Sequence, residues 1–467
     1  MKIRTRIAPS PTGFFHIGNA RTALFNYLFA KKLNGEFLLR IEDTDAERSQ
    51  KNYEDNIIDG LKWLGLNWDG EIIRQSEKTA VYKKYLNKLL DEQKAFYCFH
   101  TQDQLEREQK NQELEKIAFK HECDHKNMSA SEVEERLKNR GIIRLKNTNK
   151  KIIFNDLVRG EMIFESGLLG DFSLAKNLDE PLYNFAVVVD DHEMQITHVI
   201  RGEDHLSNTP KQILVQEALG FEQPHYAYLP LILGPDRSKL SKRHGGTALI
   251  EYRDQGYLPA AMINFMALLG WHPVHNQEIF TLEELIKEFD LKKAQKGGAV
   301  FDINKLDSIN SHYIKQLSND VLADKLKPYL KEFNLNPGQL EKIARSFKDR
   351  LKNFSEIKTL CSDIFNLADY SADLLVWKNS DKKTAAANLE TAKDVILKIA
   401  DDQFDLDCIT TDLMAAAEEK GRGEFLWPLR IALSGAEKSP SPFELINILG
   451  QKESIVRINS AIRKLTL

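Results

Sequence analysis

The chain is poor in cysteine, with four in 467 residues: Cys98, Cys123, Cys361 and Cys408. That is too few to staple a fold of this length, so a disulfide scaffold is excluded and a reducing, cytoplasmic setting is expected. Long apolar runs are also missing. The most apolar stretch, Leu258 to Trp271, contains Asn264 and falls short of the roughly 20 residues that cross a bilayer, so no membrane span is expected. The opening MKIRTRIAPS is basic but lacks an apolar h-region, which speaks against a secretory signal. Nor does one sign of charge dominate: Lys+Arg number 65 against Asp+Glu 69, a net of −4. So mild a balance argues against wholesale coating by nucleic acid, although an average over several domains hides local basic patches. No internal repeat or low-complexity segment is found.

What is present is a globular composition, 42% hydrophobic and 29% charged, at a length that suggests about three domains. Ile3, Thr5 and Ile7 alternate with basic residues as in a strand, and Pro9 to Gly13 break into a loop. Ala20, Leu24 and Leu28, flanked by Phe25 and Phe29, then form a helical stripe from Ile17 to about Leu33. Phe37 to Ile41 reads as a buried parallel strand. This βαβ unit points to an α/β, doubly wound, nucleotide-binding core. Further helices are expected at Ile57 to Leu64, Val81 to Leu90 and Pro210 to Leu219. Strands are expected at Phe185 to Asp190 (through AVVV), Ile196 to Ile200 and Tyr228 to Leu233. The core is therefore interrupted by an insertion of roughly 100 residues, whose charged stretch Gln102 to Lys120 reads as an exposed helix. From about Asp320 the apolar spacing is helical throughout, as at Ile343, Phe347, Leu351, Phe354 and Ile357. The polar stretch Lys378 to Lys383 marks a seam between two helical subdomains.

Two constellations carry chemistry. His16-Ile17-Gly18-Asn19 opens the first helix, where unpaired N–H groups and the helix dipole suit a phosphate. Lys239-Leu240-Ser241-Lys242-Arg243, followed by His244-Gly245-Gly246, reads as a basic loop at a strand end, placed to clamp a polyphosphate. Taken singly, the first reads as an ordinary helix cap and the second as a solvated loop. Together, one in each half of an interrupted nucleotide fold, they are far more specific.

The pair resembles the HIGH and KMSKS motifs of class I aminoacyl-tRNA synthetases, with Asn19 as the fourth letter of the first and KLSKR for the second. TRIAPSPTG, LFNYLFA, RIEDTD, LKWLGL, RQSE, YNFAVVVDDH, HVIRGEDH, KLSKRHG and GYLPAAMINFMALLGW are similar to the bacterial glutamyl branch of that class. GGAVFD, WPLRIALSG and SPFELINILG extend the resemblance over essentially the whole chain. It implies a Rossmann-type parallel-sheet catalytic core with an inserted acceptor-binding domain, followed by an all-helical anticodon-binding region. The expected divisions are 1–90 and 186–245 for the two halves of the core, and 91–185 for the inserted acceptor-stem domain. A stem-contact region follows at 246–320, then helical anticodon subdomains at 321–376 and 377–467.

The resemblance also implies a monomeric ligase that joins L-glutamate to ATP as an adenylate, releases pyrophosphate, and passes the glutamyl group to tRNA(Glu). It places His16, Lys239 and Lys242 in catalysis, and His16, Gly18, Asp204, Lys239 and Lys242 around ATP, with Mg²⁺ carried on the phosphates. Arg6, Ser10, Glu42, Tyr183 and Arg201 fall at glutamate-binding positions. Charge logic agrees, since two carboxylates need cations and an ammonium needs an anion. Which arginine takes which carboxylate stays open. Cys98, His100, Cys123 and His125 stand where some members hold zinc, with His121 as an additional candidate ligand; the alternative is two pairs that never converge. Arg345, Lys348, Arg350 and Lys352 form a basic cluster for RNA or a solvated helix face, and Arg350 falls at the arginine that some relatives use to reject glutamine tRNA. The glutaminyl enzymes share the core but carry β-barrels where this chain reads as helical. A small-molecule adenylyltransferase would not need the helical third, and intact His16, Lys239 and Lys242 count against a non-enzymatic tRNA-binding paralogue.

Overall fold

Short β-branched and apolar runs between glycine- and proline-rich turns produce the first half of the core: β1 (Arg4–Ile7), α1 (Ile17–Lys32), β2 (Glu36–Ile41), α2 (Lys51–Trp63), β3 (Ile73–Arg74) and α3 (Thr79–Asp91). The structure is a computed structural model that describes residues 2–45, 47–137, 141–241, 243, 246–273, 275–367 and 369–466. Two compact units emerge: Met1–Arg253 with Pro259–Leu306, and Asp254–Leu258 with Asp307–Leu467.

In the first unit, β1 pairs in parallel with β2, and β2 with β3. The insertion then contributes β4 (Ala95–Cys98), α4 (Gln102–Leu114), α5 (Ala130–Leu137), β5 (Ile142–Leu145), β6 (Lys151–Asp156), β7 (Gly160–Glu165), β8 (Ser173–Asn177) and β9 (Glu180–Pro181). Its antiparallel sheet runs β4-β5-β8-β9. Helix α4 buries none of its side chains, as its charge pattern predicts.

The core resumes with α6 (Tyr183–Glu193), β10 (His198–Gly202), α7 (Thr209–Leu219), β11 (His225–Leu229) and β12 (Ile232–Leu233). Strands β10 and β11 are parallel. The amide of Thr197 donates to Arg4 O at 3.0 Å, and the Arg4 amide to Thr197 Oγ1 at 2.9 Å, so β10 lies beside β1 and closes the interrupted sheet. The unit ends with α8 (Leu249–Gln255), which crosses its boundary, and α9 (Pro259–Leu268), α10 (Leu282–Glu288) and β13 (Ala299–Val300). No helix among the described residues is long and apolar enough to cross a membrane.

One expectation is overturned here. Phe185 to Asp190 is not a strand but part of α6. Its residues Phe185 to Asp191 are all buried, so the helix has no polar face to impose a 3.6-residue period, and the run of valines imitates a strand. The change matters, because a helix turns Asp190 and Asp191 toward the core sheet.

The second unit is helical: most of α11 (Ile303–Gln316), then α12 (Asn319–Leu326), α13 (Pro337–Phe347), α14 (Glu356–Phe365), α15 (Lys382–Lys398), α16 (Leu406–Lys420), α17 (Arg422–Ser434), α18 (Pro442–Leu449) and α19 (Gln451–Thr466). No strand follows β13 among the described residues. Capping boxes at Asn336/Gln339 and Ser441/Glu444 start α13 and α18. The buried Arg457 donates to the carbonyls of Ile364 at 2.7 Å and Leu433 at 2.6 Å, tying the ends of α14 and α17 to α19.

Asn26, fully buried on α1, donates through Nδ2 to Ile200 O of β10 at 2.8 Å, and its own carbonyl accepts from Thr5 Oγ1 of β1 at 3.0 Å. It stitches the helix to both halves of the sheet. Asn26→Ala orphans the Ile200 carbonyl and is expected to destabilise the chain by about 1–3 kcal/mol, read as a lower midpoint in urea unfolding.

Candidate active site

The strand ends and the N-terminus of α1 converge on a cavity of about 430 Å³. Arg6 comes from β1, His16 and Gly18 from the start of α1, Glu42 from the end of β2, Tyr183 from α6, Arg201 from β10, Asp204 from the turn after it, and Lys239 from the loop after β12; all line this one cavity. Ser10 lines an adjoining cavity of about 1240 Å³, which shares His16, Glu42, Tyr183 and His205 with the first. Lys242, His244 and Gly245 lie outside the described residues.

His16 is the N-cap of α1. Its Nδ1 accepts the Asn19 amide at 3.3 Å. Burial and then the neighbouring Lys239 charge hold its pKa below the ordinary value, against the opposing pull of Asp204. The neutral ring thus carries its proton on Nε2. A Cβ at residue 18 would sit 2.9 Å from the His16 ring, so Gly18 is what lets that ring lie over the helix end. The loop bearing Lys239 is anchored by Gly234 N to Ser238 O at 2.8 Å and Leu240 N to Ile232 O at 2.9 Å.

Two arginines face the cavity with different partners. Arg6, 4% exposed, is gripped side-on by Asp191: Nε reaches Oδ1 at 3.0 Å and Nη2 reaches Oδ2 at 3.2 Å. Arg201 has neutral partners, with Nη2 on Gln212 Oε1 at 2.6 Å and on Tyr228 OH at 2.8 Å, and Nη1 on Tyr183 OH at 3.5 Å. Burial pushes the Glu42 carboxyl up, against the pull of Arg40 and Arg6. The Tyr183 hydroxyl is pushed up to about 12 by burial and lies 3.0 Å from His205 Nδ1.

Several side chains that line the cavity or pair with its lining carried no separate signal in the sequence. His205 lies inside the HVIRGEDH string but is unremarkable until the fold sets it against Tyr183. Arg40, with no exposed surface, joins Glu42 at 3.1 Å and Asp191 at 2.7 Å. Arg21 is buried on α1, with Nη1 on Leu269 O at 3.1 Å and Nη2 on Pro230 O, and burial holds it down to about 10. A charge at a buried position of a helical stripe was the one available clue.

The cysteine–histidine pairs of the insertion do converge. Cys98 Sγ lies 3.4 Å from His100 Nδ1 and 3.7 Å from His121 Nε2, and Cys123 Sγ lies 3.6 Å from His100 Nδ1. The ligating atoms of Cys98, His100, His121 and Cys123 all lie within 4.8 Å of one another; His125 groups instead with His100, Cys123 and Asp124. The expected set of Cys98, His100, Cys123 and His125 is thus divided over two groups. The His125 ring lies 3.5 Å from Cys123 Sγ through Nδ1, which also accepts the Phe99 amide at 3.2 Å, while Nε2 lies 3.2 Å from Arg136. His121 is aimed by Glu108, 2.6 Å from its Nδ1. A hydrogen bond between the two thiols pushes Cys98 down and Cys123 up.

In the helical unit, Arg345 faces Asp407 at 3.9 Å, Arg350 pairs with Glu444 at 3.1 Å, and Lys352 with Asp307 at 3.5 Å.

Residues 2–308 match the family described as tRNA synthetases class I (E and Q), catalytic domain, and residues 321–462 match an anticodon binding domain. The chain belongs to the class I tRNA synthetases. Among relatives of this synthetase is the glutamate–tRNA ligase of Natranaerobius thermophilus, 44% identical with 99% of each chain covered. That of Carboxydothermus hydrogenoformans is 42% identical, over 98% of this chain and 99% of its own. A crystal structure of a glutamate tRNA ligase from Elizabethkingia meningosepticum, in complex with its amino acid, superimposes with a TM-score of 0.89 at 34% identity, covering 100% of both chains.

Burial, and then the Arg201 charge, hold His205 down to about 4. Its ring is therefore expected to stay neutral through the neutral range and to gain a proton only near pH 4 in an NMR titration. A midpoint near the ordinary 6.5 would show that the cavity wall around Tyr183 is open to water.

Proposed function

We propose that the chain is a glutamate–tRNA ligase that forms glutamyl-adenylate from L-glutamate and ATP and then charges tRNA(Glu). The observation that carries this reading is the single cavity that holds two arginines, a buried carboxylate and a histidine-capped helix end. A zwitterion with two carboxylates needs two cations and one anion, and Arg6, Arg201 and Glu42 match that count. The helix N-terminus, His16 Nε2–H and Lys239 suit the phosphates of ATP, with Mg²⁺ entering on those phosphates and Lys242 joining from the same basic loop. Asp204, beside His16, is assigned to the ribose and adenine side, and Ser10 to the amino-acid side.

The chemistry is displacement by positioned reactants. An oxygen of the glutamate α-carboxylate attacks the α-phosphorus as the bond to the β-phosphate oxygen breaks, and pyrophosphate leaves. The terminal ribose hydroxyl of tRNA then attacks the adenylate carbonyl, and AMP leaves. No protein nucleophile is needed: His16 and the lysines stabilise charge as it builds. The helical build of residues 307–466 and the names of the relatives favour glutamate over glutamine. Arg350, seated on Phe347 with Glu444 beside it, is assigned to reading the anticodon. A monomer in the cytoplasm is the working state.

Two thiols and two imidazoles with ligating atoms within 4.8 Å fit a tetrahedral zinc ion. Cys98, His100 and Cys123 would hold it, with His121 or His125 as the fourth ligand. Bound there, zinc would cross-link β4 to the segment before α5.

Incubation with ATP, labelled glutamate and either tRNA is expected to charge tRNA(Glu). Charging with glutamine, or RNA-independent adenylyl transfer to a small molecule, would overturn the reading. Metal analysis of the purified protein is expected to return about one zinc per chain, lost in Cys98→Ser together with a lowered melting temperature; a content near zero retires the site.

A further inference from the structure

The two charges assigned to glutamate, the Arg6 cation and the Glu42 anion, are not independent of each other. Behind them lies Arg40, fully buried on β2, with Nη2 on Glu42 Oε1 at 3.1 Å and Nη1 on Asp191 Oδ1 at 2.7 Å. Asp191 in turn takes two N–H groups of Arg6, at 3.0 and 3.2 Å. The side-on grip on Nε and Nη2 fixes the plane of the Arg6 guanidinium. It leaves Nη1 without a hydrogen-bond partner among the described residues, while the side chain lines the cavity.

Asp190, the neighbouring acid, has a different part. It accepts from Gln75 Nε2 at 2.6 Å and Tyr82 OH at 2.8 Å, and stands 3.6 Å from Arg40 Nε. It balances charge but makes no hydrogen bond or ion pair with Arg6 or Glu42 among the described residues. The link from one end of the amino acid to the other therefore runs Arg6–Asp191–Arg40–Glu42.

We propose that Asp191 is a positioning residue for glutamate recognition: it aims the Arg6 guanidinium at a substrate carboxylate and, through Arg40, sets the spacing between that cation and the Glu42 anion. This rests on the reading of Arg6 and Glu42 as glutamate ligands. Asp191 never meets the substrate and acts through Arg6. A carboxylate at this place keeps Arg6 in one orientation when no substrate is bound, so the site meets its ligand already arranged.

The test is steady-state charging of tRNA(Glu) by Asp191→Asn, Asp191→Glu and Arg6→Ala, and by the double variant Arg6→Ala/Asp191→Asn, with melting curves for each. Asp191→Asn is expected to raise the KM for glutamate at least about tenfold while the KM for ATP changes less than about twofold, and Asp191→Glu should recover part of the loss. In the Arg6→Ala background, adding Asp191→Asn should raise the glutamate KM no further, because the group it aims is gone. Unchanged glutamate KM in Asp191→Asn, equal rises for glutamate and ATP, or additive effects in the double variant would each overturn the proposal. If Asp191→Asn does not fold, Asp191→Glu is judged by the same glutamate-against-ATP comparison and in the same double-variant form. Arg6→Ala separates the two levels. An unchanged glutamate KM there removes Arg6 from the site and the proposal with it, whereas a raised KM beside a silent Asp191→Asn removes only the aiming role.

Discussion

A guanidinium with no exposed surface, Arg40, is bound by Asp191, Glu42 and more distantly Asp190. Taking one such charge out of water costs several kcal/mol, which only close, well-aligned partners offset. The partners come from β2 itself and from the last turn of α6, which the chain reaches only after the whole insertion. The ion cluster can therefore form only when both halves of the core are in register. It penalises any arrangement in which α6 is rotated or shifted, and in this way couples assembly of the sheet to assembly of the cavity. Asn26 and the Thr197–Arg4 pair support the same junction with neutral hydrogen bonds.

Much of the fold was legible in the sequence, because most of its elements bury one face and expose another. The helical spacing of the last third follows that rule, whereas β1 buries Thr5, Arg6 and Ile7 in succession and α1 buries every residue from Ala20 to Asn26, so there the apolar types rather than a polar face gave the elements away. The AVVV stretch fails it for a physical reason: a helix buried on every side shows no period, and its valines imitate a strand. That one error concealed Asp190 and Asp191, since a strand would have sent alternate residues to opposite faces.

The candidate site was legible where its residues sit in short local strings. His16 with Gly18, Lys239, Asp204, Arg201 and Glu42 share one cavity because each lies at a strand end or a helix start, where an α/β sheet collects its ligands. Residues whose role is to hold others were not legible. Arg40 and Asp191 are separated by 151 positions, and nothing local marks their partnership. The same holds for Glu108 and His121: the first lies in a helix that reads as featureless charge, and only folding shows one of its carboxylates aiming an imidazole.

Helix α4 buries none of its side chains, yet Gln112 contacts both the amide and the carbonyl of Lys120, and Glu108 holds His121. With no buried side chain, its attachment rests on polar bonds that water competes for, the condition under which a segment opens more readily than a packed sheet. A substitution at one of its exposed positions therefore removes no packing, whereas a change at Gln112 or Glu108 cuts one of the polar links that hold the helix.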